Sequence, residues 1–220
     1  MRRAIIRIVA PFLQRFSKVY FSKPRKYNHK GINGIVLPNV FQPHFTWSTA
    51  LLMEYIEQHD LKDKNALELG CGTGILSAYM AKKGANVLAT DINPSAIENA
   101  QLNAKRNGVE VNTLLSDLFT NIPKISFDFI LINPPYYPKN PVNMAENAWY
   151  CGAEFEYFKR LFKEVSPYFI NETSVFIILS EDCDITQIKG LAEKQGWTLR
   201  EVYKKRKMGE QNFIYRLECI

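Results

Sequence analysis

Residues 65–74 read Asn-Ala-Leu-Glu-Leu-Gly-Cys-Gly-Thr-Gly. A short apolar strand candidate, Asn65–Leu69, runs without a break into three glycines spaced two apart, and a helix is predicted directly after them over Ile75–Lys83. Strand, glycine-rich turn and helix in that order open a βαβ unit. Glycines at such a turn permit tight turning and close backbone approach to a ligand. The spacing is GxGxG and not the GxGxxG of dinucleotide binders, and no Gly-Lys-Ser/Thr follows to make a P-loop.

Outward from this turn the alternation continues. Strands are predicted at Asn86–Thr90, Glu110–Leu114, Phe127–Ile132 and Ser174–Leu179. Helices are predicted from Thr46 to about His59 and at Pro94–Asn107, Phe155–Phe169 and Ile185–Gln195, with Pro94 in the first turn, where proline is favoured. Thr198–Tyr203 and Phe213–Leu217 read as a hairpin around a polar turn, Lys204–Gln211. Alternation closed by a hairpin specifies an α/β fold: a doubly wound, mostly parallel sheet with an antiparallel strand. Residues 45–220 are assigned to this domain. Residues 1–44 are read as a basic arm, with an amphipathic helix around Ile5, Ile8, Phe12 and Phe16 and a Pro/Gly/Asn/Lys-rich linker or lid over residues 22–44.

Composition narrows the class. A hydrophobic fraction of 46% supports a sizeable core and excludes disordered and collagen-like chains. Cys71, Cys151, Cys183 and Cys219 form no CxxC pair and read as reduced thiols of a cytoplasmic protein. His29, His44 and His59 have no metal-binding spacing, so no metal is expected. Residues 1–30 hold nine basic residues and no acid, and the other 190 residues carry 19 basic against 22 acidic ones, a net of −3. The domain is mildly acidic, and the arm suits a polyanion such as RNA, an anionic membrane surface or plain solvation. Arg7 interrupts the apolar start, which argues against a signal peptide; an organelle transit peptide is the minor alternative. No stretch is long enough to span a membrane.

Two acids and one turn carry the chemistry. Asp91 ends the second predicted strand, where an acid is placed to take the two hydroxyls of a ribose. Its other use, as a helix N-cap, falls more naturally to Asn93. Asp117, after the next strand, can accept from an adenine amine with Leu118 near the ring, or serve as a turn or cap residue. The third feature is Asn133-Pro-Pro-Tyr136 at the end of the apolar run Phe127–Ile132. Two prolines fix φ and remove two donors. Asn133 adds an acceptor and Tyr136 a flat face. This suits a planar NH₂ group. Tyr137 is read as ordinary packing or a second stacking face.

In order and spacing these four elements resemble the class I S-adenosylmethionine-dependent methyltransferases, whose sheet is Rossmann-like and seven-stranded. The resemblance implies that Glu68, Gly70, Cys71, Gly72 and Gly74 hold the methionine end of S-adenosyl-L-methionine. It implies that Asp91 and Ile92 take the ribose, Asp117 and Leu118 the adenine, and that Asn133 borders both donor and acceptor. Asn133, Pro134 and Tyr136 are the implied catalytic residues. Pro135, Tyr136, Thr46 and Trp47 are the candidate acceptor contacts, with Pro43 and His44 nearby. From about Val36 onward the chain looks most like the short HemK/PrmC-like branch, through Thr90–Pro94, the Asn-Pro-Pro-Tyr turn and Glu146–Gly152. That branch methylates the glutamine amide of class I release factors; related enzymes methylate exocyclic amines of adenine or guanine in RNA or DNA. Phe41–Ser48 lacks the acid usual in that family, Ala153 replaces a glycine, and the basic arm is additional. The glutamine amide of a release factor is the first expectation; these departures weaken it and raise the nucleic-acid alternative, in which residues 1–30 touch RNA. A monomer is expected. A nucleotide-dependent oxidoreductase and a non-catalytic binding module are the rivals. Stabilisation by NAD(P) would point to the first, and failure to bind S-adenosylmethionine or its product to the second.

Overall fold

The computed structural model describes residues 22–170, 172–207 and 209–220. The amphipathic helix expected in the arm, and the arm up to residue 21, lie outside them. Nine strands and five α-helices are described: β1 (Arg25–His29), β2 (Ile32–Val36), α1 (Ser48–Ile56), β3 (Asn65–Leu69), α2 (Ile75–Lys82), β4 (Asn86–Asp91), α3 (Pro94–Arg106), β5 (Asn112–Leu115), β6 (Phe129–Ile132), α4 (Glu156–Glu164), β7 (Ser174–Ser180), α5 (Ile185–Glu193), β8 (Trp197–Lys207) and β9 (Glu210–Cys219). The main sheet has seven strands in the order β5-β4-β3-β6-β7-β9-β8. All pairings are parallel except those of β9, which is antiparallel to both β7 and β8. The expected architecture is therefore present.

The central strands are apolar without interruption because both faces of the sheet are covered. In β6, Ile130 and Ile132 join the core beneath Phe158, Leu161 and Phe162 of α4 and Ile188 and Leu191 of α5. Their neighbours Phe129 and Leu131 face the second core, with Leu51, Leu52 and Ile56 of α1 and Ile75, Leu76 and Tyr79 of α2. Period-two alternation thus sorts one strand's residues between two cores.

The linker expected over residues 22–44 is instead largely structured. β1 and β2 form an antiparallel hairpin, turning at Lys30 (φ 46°) and Gly31 (φ 75°), two successive positive φ values that match the twist of a tight hairpin. Helix α3 holds this hairpin through three asparagines one turn apart. Asn99, Asn103 and Asn107 accept from the N–H groups of Leu37, Ile35 and Asn33 at 2.8, 2.8 and 2.9 Å. In return Asn99 and Asn103 donate to the Ile35 carbonyl at 2.7 and 2.8 Å. Carboxamides at i, i+4 and i+8 thus supply the partner that a third strand would supply, and satisfy an edge otherwise left open. Asn103 also donates to the Thr73 carbonyl at 2.8 Å, which links the hairpin to the glycine loop.

The C-terminal hairpin is longer than expected. Most of the stretch read as a polar turn, Lys204–Gln211, continues the two strands, with a bulge between Glu201 and Tyr203. Its far end returns to α1: the Tyr203 hydroxyl and Lys205 Nζ both donate to Glu54, at 2.8 and 2.5 Å. Among the described residues, no helix is long and apolar enough to cross a membrane.

Candidate active site

A cavity of about 400 Å³ opens at the C-terminal ends of β3, β4 and β6, where open α/β sheets bind ligands. Its floor is the glycine loop. Gly70 and Gly72 have φ of 78° and 50°, and the N–H groups of Gly70 and Cys71 are tied to the Thr90 carbonyl at 2.9 and 2.8 Å. Cys71 is a buried wall residue whose thiol is pushed well above the usual range by burial, so it is no ready nucleophile. Gly74 does not line the cavity. At φ 67° it caps α2, and a Cβ there would lie 2.4 Å from Cβ of Ala100 in α3. Its role is helix packing.

Asp91 stands at the tip of β4 and lines the cavity beside Ile92. Its carboxylate accepts from the N–H groups of Gly72 (2.8 Å) and Asn93 (2.9 Å). Burial raises its pKa and these backbone bonds oppose the rise. Asn93 caps α3, its side chain accepting from the Ser95 N–H. Both assignments follow the expectation that Asn93, not Asp91, is the cap.

Glu68 also borders the cavity, but its carboxylate accepts from the N–H of Ser77 at 2.8 Å and from the Ser77 hydroxyl. Burial pushes this carboxyl up to about 8, the Asp91 charge adds to the rise, and the Ser77 bonds oppose it. Between the unfolded value of 4.5 and about 8 the native state holds a proton that the unfolded chain has released. Stability therefore falls as pH rises through that window. Glu68→Gln keeps an acceptor for Ser77 and cannot ionise. Its melting temperature should exceed the wild type's by a few degrees near pH 8, with the gap closing towards pH 5. A gap independent of pH in calorimetry would refute the assignment.

At the far end, Asp117 and Leu118 line the cavity next to Arg160 of α4. Leu118 has φ 48°, a costly conformation for a branched residue, and it is held by the Ser116 hydroxyl donating to its carbonyl at 2.8 Å. Asp117 Oδ2 is paired with Arg160 Nη1 at 2.7 Å. Nothing in the sequence marks Arg160 beyond its place in the predicted helix Phe155–Phe169.

The Asn-Pro-Pro-Tyr turn forms a second wall. All four residues line the cavity. The N–H groups of Tyr136 and Tyr137 donate to the Trp149 carbonyl at 3.1 and 2.9 Å, and the Cys151 N–H donates to the Tyr137 carbonyl at 2.9 Å. The segment 149–151 thus fixes the exit of the turn. Asn133 is half-buried. Its Nδ2 donates to Ser48 Oγ at 3.0 Å, and its Oδ1 accepts from the Tyr136 hydroxyl at 2.8 Å. Among the described residues, no group donates to the Pro134 carbonyl.

Thr46 and Trp47 do not line the cavity. The Thr46 hydroxyl meets that of Ser48 at 3.1 Å, and Lys207 Nζ covers the Trp47 ring at 3.7 Å. His44 is also elsewhere, with Nε2 2.9 Å from the Lys26 carbonyl oxygen. In their place Phe41 and Thr49 reach the cavity, and the Phe41 ring packs on Trp149 at 5.1 Å. Asn140, Met144, Trp149 and Tyr157 also line the wall; the first three lie between β6 and α4, on a segment whose only regular piece is a short 3-10 helix at Met144–Ala148, so no periodicity marks them.

The charge of the lining selects among ligands. Among the described residues of the lining, Asp91, Asp117 and Glu156 stand against one cation, Arg160, which is committed to Asp117 and Glu164; Glu68, its carboxyl up at about 8, adds little charge at pH 7. Among the described residues, no free cation lines the cavity to receive the pyrophosphate of a dinucleotide, and the carboxylates there suit a ligand that is itself positive. A ribose acid, a buried apolar slot and a surplus of carboxylates fit the sulfonium and ammonium charges of S-adenosylmethionine.

The fold is that of the Rossmann-like methyltransferases. Residues 35–148, just over half of the chain, match the model of the methyltransferase small domain family, and the chain belongs to that family. Among curated proteins it is 44% identical over 111 residues to a "Putative protein N5-glutamine methyltransferase" of Methanocaldococcus jannaschii, covering 49% of this chain and 54% of that one. It is 32% identical over 128 residues to a ribosomal RNA small subunit methyltransferase C of Buchnera aphidicola, covering 57% and 38%. The chain thus spans about half or less of the length of these relatives. Among solved structures, a methyltransferase from Pyrococcus furiosus superposes with a TM-score of 0.65 at 20% identity, over 94% of this chain and 99% of that one.

Proposed function

We propose that this protein transfers a methyl group from S-adenosylmethionine to a planar nitrogen, and that the acceptor is a glutamine side-chain amide of a release-factor type protein. The observation that carries the reading is the pair of acceptors on one wall, Asn133 Oδ1 and the Pro134 carbonyl that no described group uses. An amide NH₂ brings two donors and a weakly nucleophilic, delocalised lone pair. Two acceptors held on a rigid Pro-Pro turn take both N–H bonds, orient the lone pair and favour positive charge developing on nitrogen. Pro135 and Tyr136 flank the planar group. S-adenosylmethionine supplies an electrophilic methyl on sulfur. Asp91 would hold its ribose, Asp117 and Leu118 its adenine, and Gly70 to Gly72 its methionine end.

The two-acceptor grip serves an amide and a base amine alike. The Methanocaldococcus jannaschii relative supports the amide. The basic residues 1–30 and the Buchnera aphidicola relative support an exocyclic amine of adenine or guanine as the second reading. Incubation with methyl-labelled donor, total RNA and release factors side by side decides between them. Label is expected on the release factor; label confined to RNA overturns the glutamine assignment.

A further inference from the structure

We propose that Ser48 is a positioning residue for methyl transfer, its hydroxyl holding the Asn133 amide with oxygen, not nitrogen, towards the acceptor. The inference rests on the methyl-transfer reading of Asn133. A carboxamide has an acceptor end and a donor end of nearly the same size. Rotated by half a turn, Asn133 would present its NH₂ to the NH₂ of the acceptor, donor against donor. Something must set the orientation, and the prolines that follow cannot, because they restrict backbone and not χ2.

Ser48 is placed to do so. It is the first residue of α1 and is 1% exposed. Its Oγ accepts from Asn133 Nδ2 at 3.0 Å, across 85 residues of sequence. The Ser48 hydroxyl has one proton, and Thr46 Oγ1 lies 3.1 Å away to take it. In the proposed arrangement that proton goes to Thr46, of a pair in which either hydroxyl can donate, and Ser48 turns a lone pair to Asn133; the Tyr136 hydroxyl, also a hydrogen-bond neighbour of Ser48, gives its own proton to Asn133. From the other side the Tyr136 hydroxyl donates to Asn133 Oδ1 at 2.8 Å. Donation then runs in one sense: Asn133 to Ser48 to Thr46, and Tyr136 to Asn133. Oδ1 can accept a second bond, and that remaining site serves the acceptor. Sheltered hydroxyl chains of this kind polarise one another, and an unpaired member is costly. Thr46 therefore acts at the end of the relay and not as an acceptor contact.

The test compares Ser48→Ala, Ser48→Thr and Thr46→Val with wild type and Asn133→Ala, using whichever of release factor or RNA takes up label. Ser48→Ala is expected to lower kcat about tenfold or more, while KM for the donor and the thermal shift produced by S-adenosylhomocysteine stay within twofold. Ser48→Thr should recover much of the rate, and Thr46→Val should lose rate in the same direction with Ser48 intact. In ¹⁵N–¹H spectra, the side-chain NH₂ signal absent from Asn133→Ala should exchange with water faster in Ser48→Ala. A folded Ser48→Ala with wild-type kcat overturns the proposal. So does a rate loss matched by an equal loss of S-adenosylhomocysteine binding, which marks a merely structural residue. If Asn133→Ala itself keeps full activity, the reading of the turn fails instead.

Discussion

Asn133→Ala is expected to lower methyl transfer by about 10²–10³-fold, the usual cost of losing one preorganised group at a reacting centre. S-adenosylhomocysteine should still raise the melting temperature of the variant nearly as in wild type. The contrast follows from geometry. Asn133 borders the donor cavity, but its polar atoms are engaged by Ser48 and Tyr136, beside the Pro134 carbonyl to which no described group donates. Truncation removes one of the two acceptors that orient the incoming nitrogen, and it leaves Asp91, Asp117 and the glycine loop in place. A single acceptor no longer fixes the lone pair, so the loss should fall on kcat. Label transfer gives the rate and thermal shift gives donor-site occupancy. Wild-type transfer, or an equal collapse of both readouts, would remove Asn133 from its assigned role.

Gly74→Ala should destabilise the fold by about 3 kcal/mol or more, a fall in melting temperature of roughly 10 °C for a chain of this size. Two costs combine. A left-handed φ of 67° penalises a Cβ by about 1–2 kcal/mol. That Cβ would also lie 2.4 and 2.5 Å from Cβ and Cα of Ala100, so α2 and α3 must separate, and overpacking of this kind costs about 1–3 kcal/mol. Gly70→Ala is the internal control. Its φ is 78°, yet a Cβ there meets nothing within 4 Å, so only the backbone cost of about 1–2 kcal/mol applies. Equal losses in calorimetry would show that the α2–α3 approach is not what requires glycine at 74.

These two glycines look alike in the sequence and do different work. Gly70 and Gly72 meet the cavity, as their place after β3 implied, whereas Gly74 lies off it against α3. The same division runs through the acids. Asp91 is where an acid at a strand tip is expected, while Asp117 shares its carboxylate with an arginine 43 residues on. Asn99, Asn103 and Asn107 recur every four residues, but period four marks only a helix face and does not reveal that β2 lies along it.

The alternation of strands and helices from β3 onward, the glycine turn after β3, the acid at the tip of β4 and the rigid Asn-Pro-Pro-Tyr exit from β6 are all legible in the chain. Each depends on φ preferences and burial periods within a few residues, and such local rules operate wherever the segment lies. The packed fold is what brings Ser48 to Asn133, Arg160 to Asp117 and Lys207 over Trp47, and what lays part of residues 22–44 as a hairpin against α3. A polar side chain takes its partner from whatever the packed sheet brings within about 3 Å, and that neighbour is set by strand order rather than by distance along the chain.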